Sequence, residues 1–137
     1  MTPTTSVTPA LRIGLIGAGG FARFVLGVTH SLPGVVVTRV YDEARARAET
    51  VATASGALVA ESLDELLDDV NAVLIATPPS THAALALRAL GAGRHVFCEK
   101  PMALSDADAA AIREAVERTG LTYVVDHVIR YNPLVRL

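Results

Sequence analysis

The stretch VFCEKPMAL, Val96 to Leu104, carries an apolar run into a carboxylate and an ammonium and then into proline. A buried strand ending in Glu99-Lys100 puts both charges at its carboxyl end. An ammonium there can polarise a hydroxyl or carbonyl oxygen, or pass a proton. Pro101 locks the turn, and so tight a place can accommodate a cis bond. The bland alternative is a surface Lys–Glu pair on a loop.

A second chemical signal lies near the start. GLIGAGGFA, Gly14 to Ala22, holds Gly17, Gly19 and Ala22 at G-x-G-x-x-A spacing. The first glycine makes a strand-to-helix turn, and the second removes a side chain so that backbone can approach a pyrophosphate. The small third residue lets helix and strand pack closely. Gly20 and Phe21 then open a helix whose unpaired N–H groups favour an anion. A tight turn that merely packs well is the alternative. Asp42 ends the next apolar run, 25 positions after Gly17. It suits the hydroxyls of an adenosine ribose and would repel a 2′-phosphate, which predicts NAD. Arg45, one helical turn on, keeps NADP open, and an aspartate that only caps the following helix is the competing reading. No G-x-x-x-x-G-K-[ST] occurs, so a P-loop is excluded. A methyltransferase is disfavoured because no acidic residue precedes the glycines within the strand.

Thr77-Pro78-Pro79-Ser80 forms a rigid turn between a strand and a helix, with Ser80 or Thr81 expected to cap that helix. Thr77 and Pro78 are expected to line the nicotinamide-side ribose, and Glu99 either pairs with Lys100 or holds ribose. His82 reads first as a packing or capping residue and second as a lining residue of the site. His127, after Asp126, has the same two readings.

Elements of two periodicities must position these residues. Short apolar, β-branched runs predict strands at Leu11–Ile16, Val35–Tyr41, Ala57–Val59, Ala72–Ala76, His95–Cys98 and Leu121–Val125. Helices are predicted at about Gly20–Ser31, Glu43–Ser55, from Ser62 with a Ser62/Glu65 capping box, Ser80–Leu90 and Ser105–Thr119. The first helix is expected to bury Phe21, Val25 and Val28; the last, Ala109, Ile112 and Val116. Strands apolar throughout, each followed by a helix, predict an α/β fold, a doubly wound, mostly parallel six-stranded sheet in a single domain over residues 11–128. The polar punctuation falls at strand ends, where such sheets bind ligands. Five segments thus converge on one crevice, with Lys100 at its nicotinamide end.

Composition sets the outer bounds. The chain has 137 residues, 51% hydrophobic and 19% charged, with a net charge of -2. That suits one packed domain and argues against nucleic acid as a partner. Cys98 is the lone cysteine, which excludes an intrachain disulfide and a cysteine-based zinc cluster and fits a reducing cytoplasm. No metal site is expected. The apolar stretch after MTPTTSVTPA is broken by Arg12, Arg23 and five glycines, so no membrane span is expected. Residues 1–10 are expected to form a disordered leader.

Gly17-x-Gly19, Ala76-Thr77-Pro78 with His82, Glu99-Lys100-Pro101 and the late Arg130-Tyr131-Asn132-Pro133 together resemble the Gfo/Idh/MocA oxidoreductases. The resemblance runs from Leu11 to Pro133. It implies a Rossmann domain that binds NAD(P), with Lys100 as the active-site lysine near nicotinamide C4 and a Lys100–Pro101 bond that is often cis. It also implies a sugar or polyol substrate and a homo-oligomer. The segment at Arg130 would lead out of the cofactor domain, making 129–137 a linker into a second α/β domain that binds substrate and supplies a catalytic histidine. Arg130 is a candidate lining residue. That second domain is not in this sequence, so a fragment, one chain of a split enzyme and a non-catalytic NAD(P)-binding or redox-sensing module all stay open.

Overall fold

The computed structural model describes residues 10–133; the expected leader, Ala10 apart, and residues 134–137 of the expected linker lie outside them. Six strands alternate with five α-helices: β1 (Leu11–Ile16), α1 (Gly20–Thr29), β2 (Val35–Tyr41), α2 (Arg45–Ser55), β3 (Leu58–Val59), α3 (Leu63–Asp68), β4 (Ala72–Ile75), α4 (Pro79–Gly91), β5 (His95–Cys98), α5 (Asp106–Thr119) and β6 (Tyr123–Val125). A 3-10 turn follows at Val128–Tyr131. The sheet order is β3-β2-β1-β4-β5-β6, and every pairing is parallel. This is the doubly wound arrangement, with the order reversing between β1 and β4.

Two apolar layers sandwich the sheet. Leu15, Val37, Val40 and Leu74 pack with Ala22, Leu26, Ala48 and Val51 of α1 and α2. Ile16, Val73, Ile75, Val96 and Cys98 pack with Leu66 of α3, Ala86 and Leu90 of α4, and Ile112 of α5. Adjacent residues such as Leu15 and Ile16 serve opposite layers, as the two-residue strand period requires. The strands need apolar side chains on both faces for the same reason.

Several local expectations shift. Helix α1 buries Ala22, Leu26 and Thr29, while Val28 is exposed. The close helix–strand approach at Ala22, wholly buried, sets that face and displaces the one expected through Phe21 and Val28. Helix α5 buries Ile112 and Ala115, leaving Ala109 and Val116 half-buried. Neither Ser80 nor Thr81 caps α4: Pro78 is the N-cap, and the Thr81 hydroxyl, inside the first turn, donates to Pro78 O. The capping box forms with an offset. Ser62 Oγ accepts from Glu65 N–H at 3.1 Å, and the Glu65 carboxylate accepts from Glu61 N–H at 2.8 Å. Gly14, inside β1, is where α3 leans on the sheet: a Cβ there would lie 2.4 Å from Leu66 Cδ2.

Candidate functional site

The β1–α1 turn is built on Gly17. Its φ is +95°, open to glycine and costly for other residues, and an added Cβ would sit 2.6 Å from Ala76 O. The turn is thereby pressed against the end of β4. Gly19 and Gly20 differ: an added Cβ at either would meet nothing within 4 Å. They open the backbone to space rather than to protein. Gly19 is the N-cap of α1 and offers no side-chain cap, and the first turn carries no acidic residue. The leading N–H groups of α1 therefore have no capping side chain, an arrangement that favours negative charge.

Asp42 ties this turn to the end of β2. Its carboxylate accepts from Ala18 N–H at 2.8 Å, from Ala44 N–H at 2.8 Å and from the Arg47 guanidinium at 2.8 Å. Burial by itself would raise its pKa, but the hydrogen bonds from Arg47, Ala18 and Ala44 outweigh it and hold Asp42 below the usual carboxylate range. It is an ionised acceptor set beside the glycine turn. Arg45, the cation singled out by spacing, pairs instead with Glu49 and Glu61. Arg47 takes its place at the cleft. The Arg45/Glu49 spacing of i,i+4 was the available sign that Arg45 was already engaged.

A cleft of about 560 Å³ opens over these segments. Of the residues singled out from sequence, it brings together Gly17, Gly19, Gly20, Phe21, Asp42, Thr77 and Pro78. Tyr41, Arg47 and Leu85 also line it and carried no sequence signal, and Ser80 and Thr81, expected only as caps, join them. Glu99, Lys100, His82, His127 and Arg130 are not among its walls.

Glu99 and Lys100 lie at the end of β5, beyond β4 from the glycine turn. Lys100 is exposed, and among the described residues its ammonium forms no ion pair. Its backbone N–H donates to the Glu99 carboxylate at 3.0 Å, and the Lys100–Pro101 bond is cis. Burial raises the Glu99 pKa, and a hydrogen bond shared with Asp126 at the end of β6 raises it further; the Lys100 N–H opposes both. Cys98 beneath is wholly buried, and burial pushes its thiol up to about 11, so it stays a neutral packing group.

His82, in the first turn of α4, is 1% exposed. Its Nδ1 lies 2.7 Å from Pro101 O and its Nε2 2.8 Å from Thr77 O. His127 and Arg130 are exposed, in and beside the 3-10 turn after β6. Among the described residues no group of three or more His, Cys, Asp or Glu could hold a metal ion, and no helix is long and apolar enough to cross a membrane.

A dinucleotide fits what is present: a glycine turn whose open side a Cβ would fill, an uncapped helix N-terminus, and an ionised aspartate at the next strand end. Comparison with known proteins agrees. The model of the oxidoreductase family with an NAD-binding Rossmann fold, Gfo/Idh/MocA, matches residues 11–127. The chain is 34% identical to the glucose-6-phosphate 3-dehydrogenase of Bacillus subtilis, over 92% of this chain and 36% of that protein. It is 38% identical to the 4-carboxy-2-hydroxymuconate-6-semialdehyde dehydrogenase of Sphingobium, over 90% and 40%. Among solved structures it superposes on GenD2 from gentamicin A biosynthesis, in complex with NAD, with a TM-score of 0.88 at 31% identity, covering 92% of this chain and 37% of that one. The chain thus spans little more than a third of the length of these relatives. A match that begins at β1 and ends at His127 takes in the whole of the six-stranded sheet, and the chain belongs to the Gfo/Idh/MocA oxidoreductases as their NAD-binding Rossmann domain.

Proposed function

We propose that this chain is the cofactor half of a dehydrogenase that exchanges hydride between NAD and a hydroxyl or carbonyl of a sugar or polyol. The observation that carries this is Asp42: one ionised carboxylate bonded to Ala18 N–H joins the glycine turn to the β2 end along one cleft wall. In this reading Asp42 accepts from the adenosine ribose hydroxyls. Gly17, Gly19, Gly20 and Phe21 receive the pyrophosphate through backbone and the α1 N-terminus. Thr77 and Pro78 border the nicotinamide side, with Glu99 and Lys100 beyond them. Bound NAD supplies the hydride acceptor. Lys100 is the proton-transfer group: its ammonium would give a proton to the carbonyl oxygen as hydride arrives at the carbon, and the amine so formed would take the hydroxyl proton in the reverse direction.

Residues 11–128 form the cofactor domain in this proposal, and the segment from residue 129 leads into a substrate domain. Exposed Val124, Val128 and Ile129 give that domain an apolar surface to cover. The glucose-6-phosphate and inositol dehydrogenases among the relatives support a sugar-like substrate and a further domain. A homo-oligomer in the reducing cytoplasm completes the picture, consistent with one buried thiol.

Cofactor choice turns on the Asp42–Arg47 pair. Asp42 disfavours a 2′-phosphate, so NADH should bind more tightly than NADPH, by roughly 1–3 kcal/mol for a like-charge clash. Arg47 is the residue through which NADP would gain entry. Titrating the chain with NADH and NADPH tests this; tighter NADPH binding overturns the NAD assignment. The catalytic assignment is tested by Lys100→Met in the full-length or reconstituted enzyme, where kcat should fall about 10²–10⁴-fold. Full turnover there would return Lys100 to a surface residue.

A further inference from the structure

We infer that His82 is a positioning residue: it ties the Lys100–Pro101 turn to the Thr77–Pro78 turn and so sets where Lys100 stands relative to the cofactor cleft. The inference rests on the proposed role of Lys100. Its geometry is independent of that role. The imidazole bridges two carbonyls from different strand ends, Pro101 O after β5 and Thr77 O after β4. A carbonyl oxygen accepts and cannot donate, so whichever ring nitrogen carries the hydrogen is the donor, and the tautomer sets which of the two turns the ring holds by hydrogen bond and which by close packing.

The turn has few other anchors. Glu99 N–H still belongs to the sheet, donating to Ile75 O at 3.0 Å. Lys100 N–H turns back onto the carboxylate of its own neighbour, Glu99. Pro101 has no N–H to give. Its carbonyl is therefore where the turn is fastened to α4. At the other end, Thr77 is held by a second bond, its hydroxyl sharing a hydrogen bond with that of Thr81 at 2.7 Å, and both threonines line the cleft. His82 thus references the Lys100 turn to a wall of the cleft that is itself anchored. A side chain 1% exposed with both ring nitrogens engaged holds its position rather than sampling several.

The test compares NADH with ADP-ribose, which lacks the nicotinamide, as probes of the 137-residue chain. His82→Phe keeps an aromatic ring and removes both ring nitrogens. It should weaken NADH about tenfold, the weight of the lost hydrogen bond, and leave ADP-ribose within about twofold. His82→Gln keeps one amide donor and should fall between Phe and wild type. If His82→Phe does not fold, judged by circular dichroism, His82→Gln carries the comparison; a chain that both substitutions unfold makes His82 a folding residue and overturns the inference. Equal losses for NADH and ADP-ribose, or no loss for either, also overturn it. Lys100→Met separates the two layers of reasoning. If it leaves the NADH-to-ADP-ribose ratio unchanged, the reading of the site fails and the inference with it. If Lys100→Met lowers the ratio while His82→Phe does not, the tie alone is refuted.

Discussion

Gly17 and Gly19 lie two residues apart in one turn, yet alanine should do opposite things at them. At Gly17 the φ of +95° strains any L side chain, about 1–2 kcal/mol by the handedness rule. The new Cβ would also sit 2.6 Å from Ala76 O and 2.8 Å from Ala76 C. Both are backbone atoms of a sheet and cannot swing aside, which adds roughly 1–3 kcal/mol of overpacking. Gly17→Ala should therefore cost about 2–5 kcal/mol, a large share of the roughly 5–15 kcal/mol that domains possess. The thermal midpoint should drop by roughly 10–20 °C. Gly19 has a φ of -80°, which alanine adopts freely, and no atom within 4 Å of an added Cβ. Gly19→Ala should leave the midpoint unchanged or slightly raised, by up to about 1 kcal/mol of lost chain entropy. In the proposed function its methyl group would stand where the pyrophosphate lies, so NADH affinity should fall at least about tenfold, 1.4 kcal/mol. Circular dichroism melts and fluorescence titration of NADH read the two quantities separately. Gly19→Ala binding NADH within twofold of wild type would refute the pyrophosphate assignment. Gly17→Ala melting with the wild type would refute the close approach to β4.

Two further predictions follow from titration. Asp42 holds its proton less firmly than an ordinary aspartate with a value of 3.8, so its contribution to stability is present above that pH and is lost as pH falls through the lower folded value. The stability gap between wild type and Asp42→Asn should thus narrow below about pH 4 in urea titrations; a gap that widens there contradicts the assignment. Glu99 has the opposite sign: raised above 4.5 by burial and by Asp126, it favours folding at low pH and loses that contribution as pH climbs through its folded value. Glu99→Gln should gain stability relative to wild type as pH rises above about 4.5, and a gap that does not change with pH would count against the Glu99–Asp126 contact.

The fold was legible in the sequence because strand and helix periodicities are local and each apolar strand was followed by a helix. Strand limits agreed within two residues, as with β6 expected from Leu121 and found from Tyr123. The glycine spacing with a strand before it, a helix after it and Asp42 at the next strand end named one wall of the cleft without any coordinates. Long-range approach was not legible in the same way. Which face of α1 is buried depends on Ala22 meeting the sheet, and Phe21 and Val28 looked equally apolar. Arg45 and Arg47 are two arginines on one short helix, and only the tertiary positions of Glu61 and Asp42 sort them. His82 shows the difference most clearly. Its spacing placed it in the first turn of α4, but the carbonyl of Pro101, 19 residues away, became its partner through the parallel pairing of β4 with β5. Chain-local chemistry determined the elements and the motif; the sheet decided which strand ends meet, because parallel pairing brings together residues that no local pattern connects.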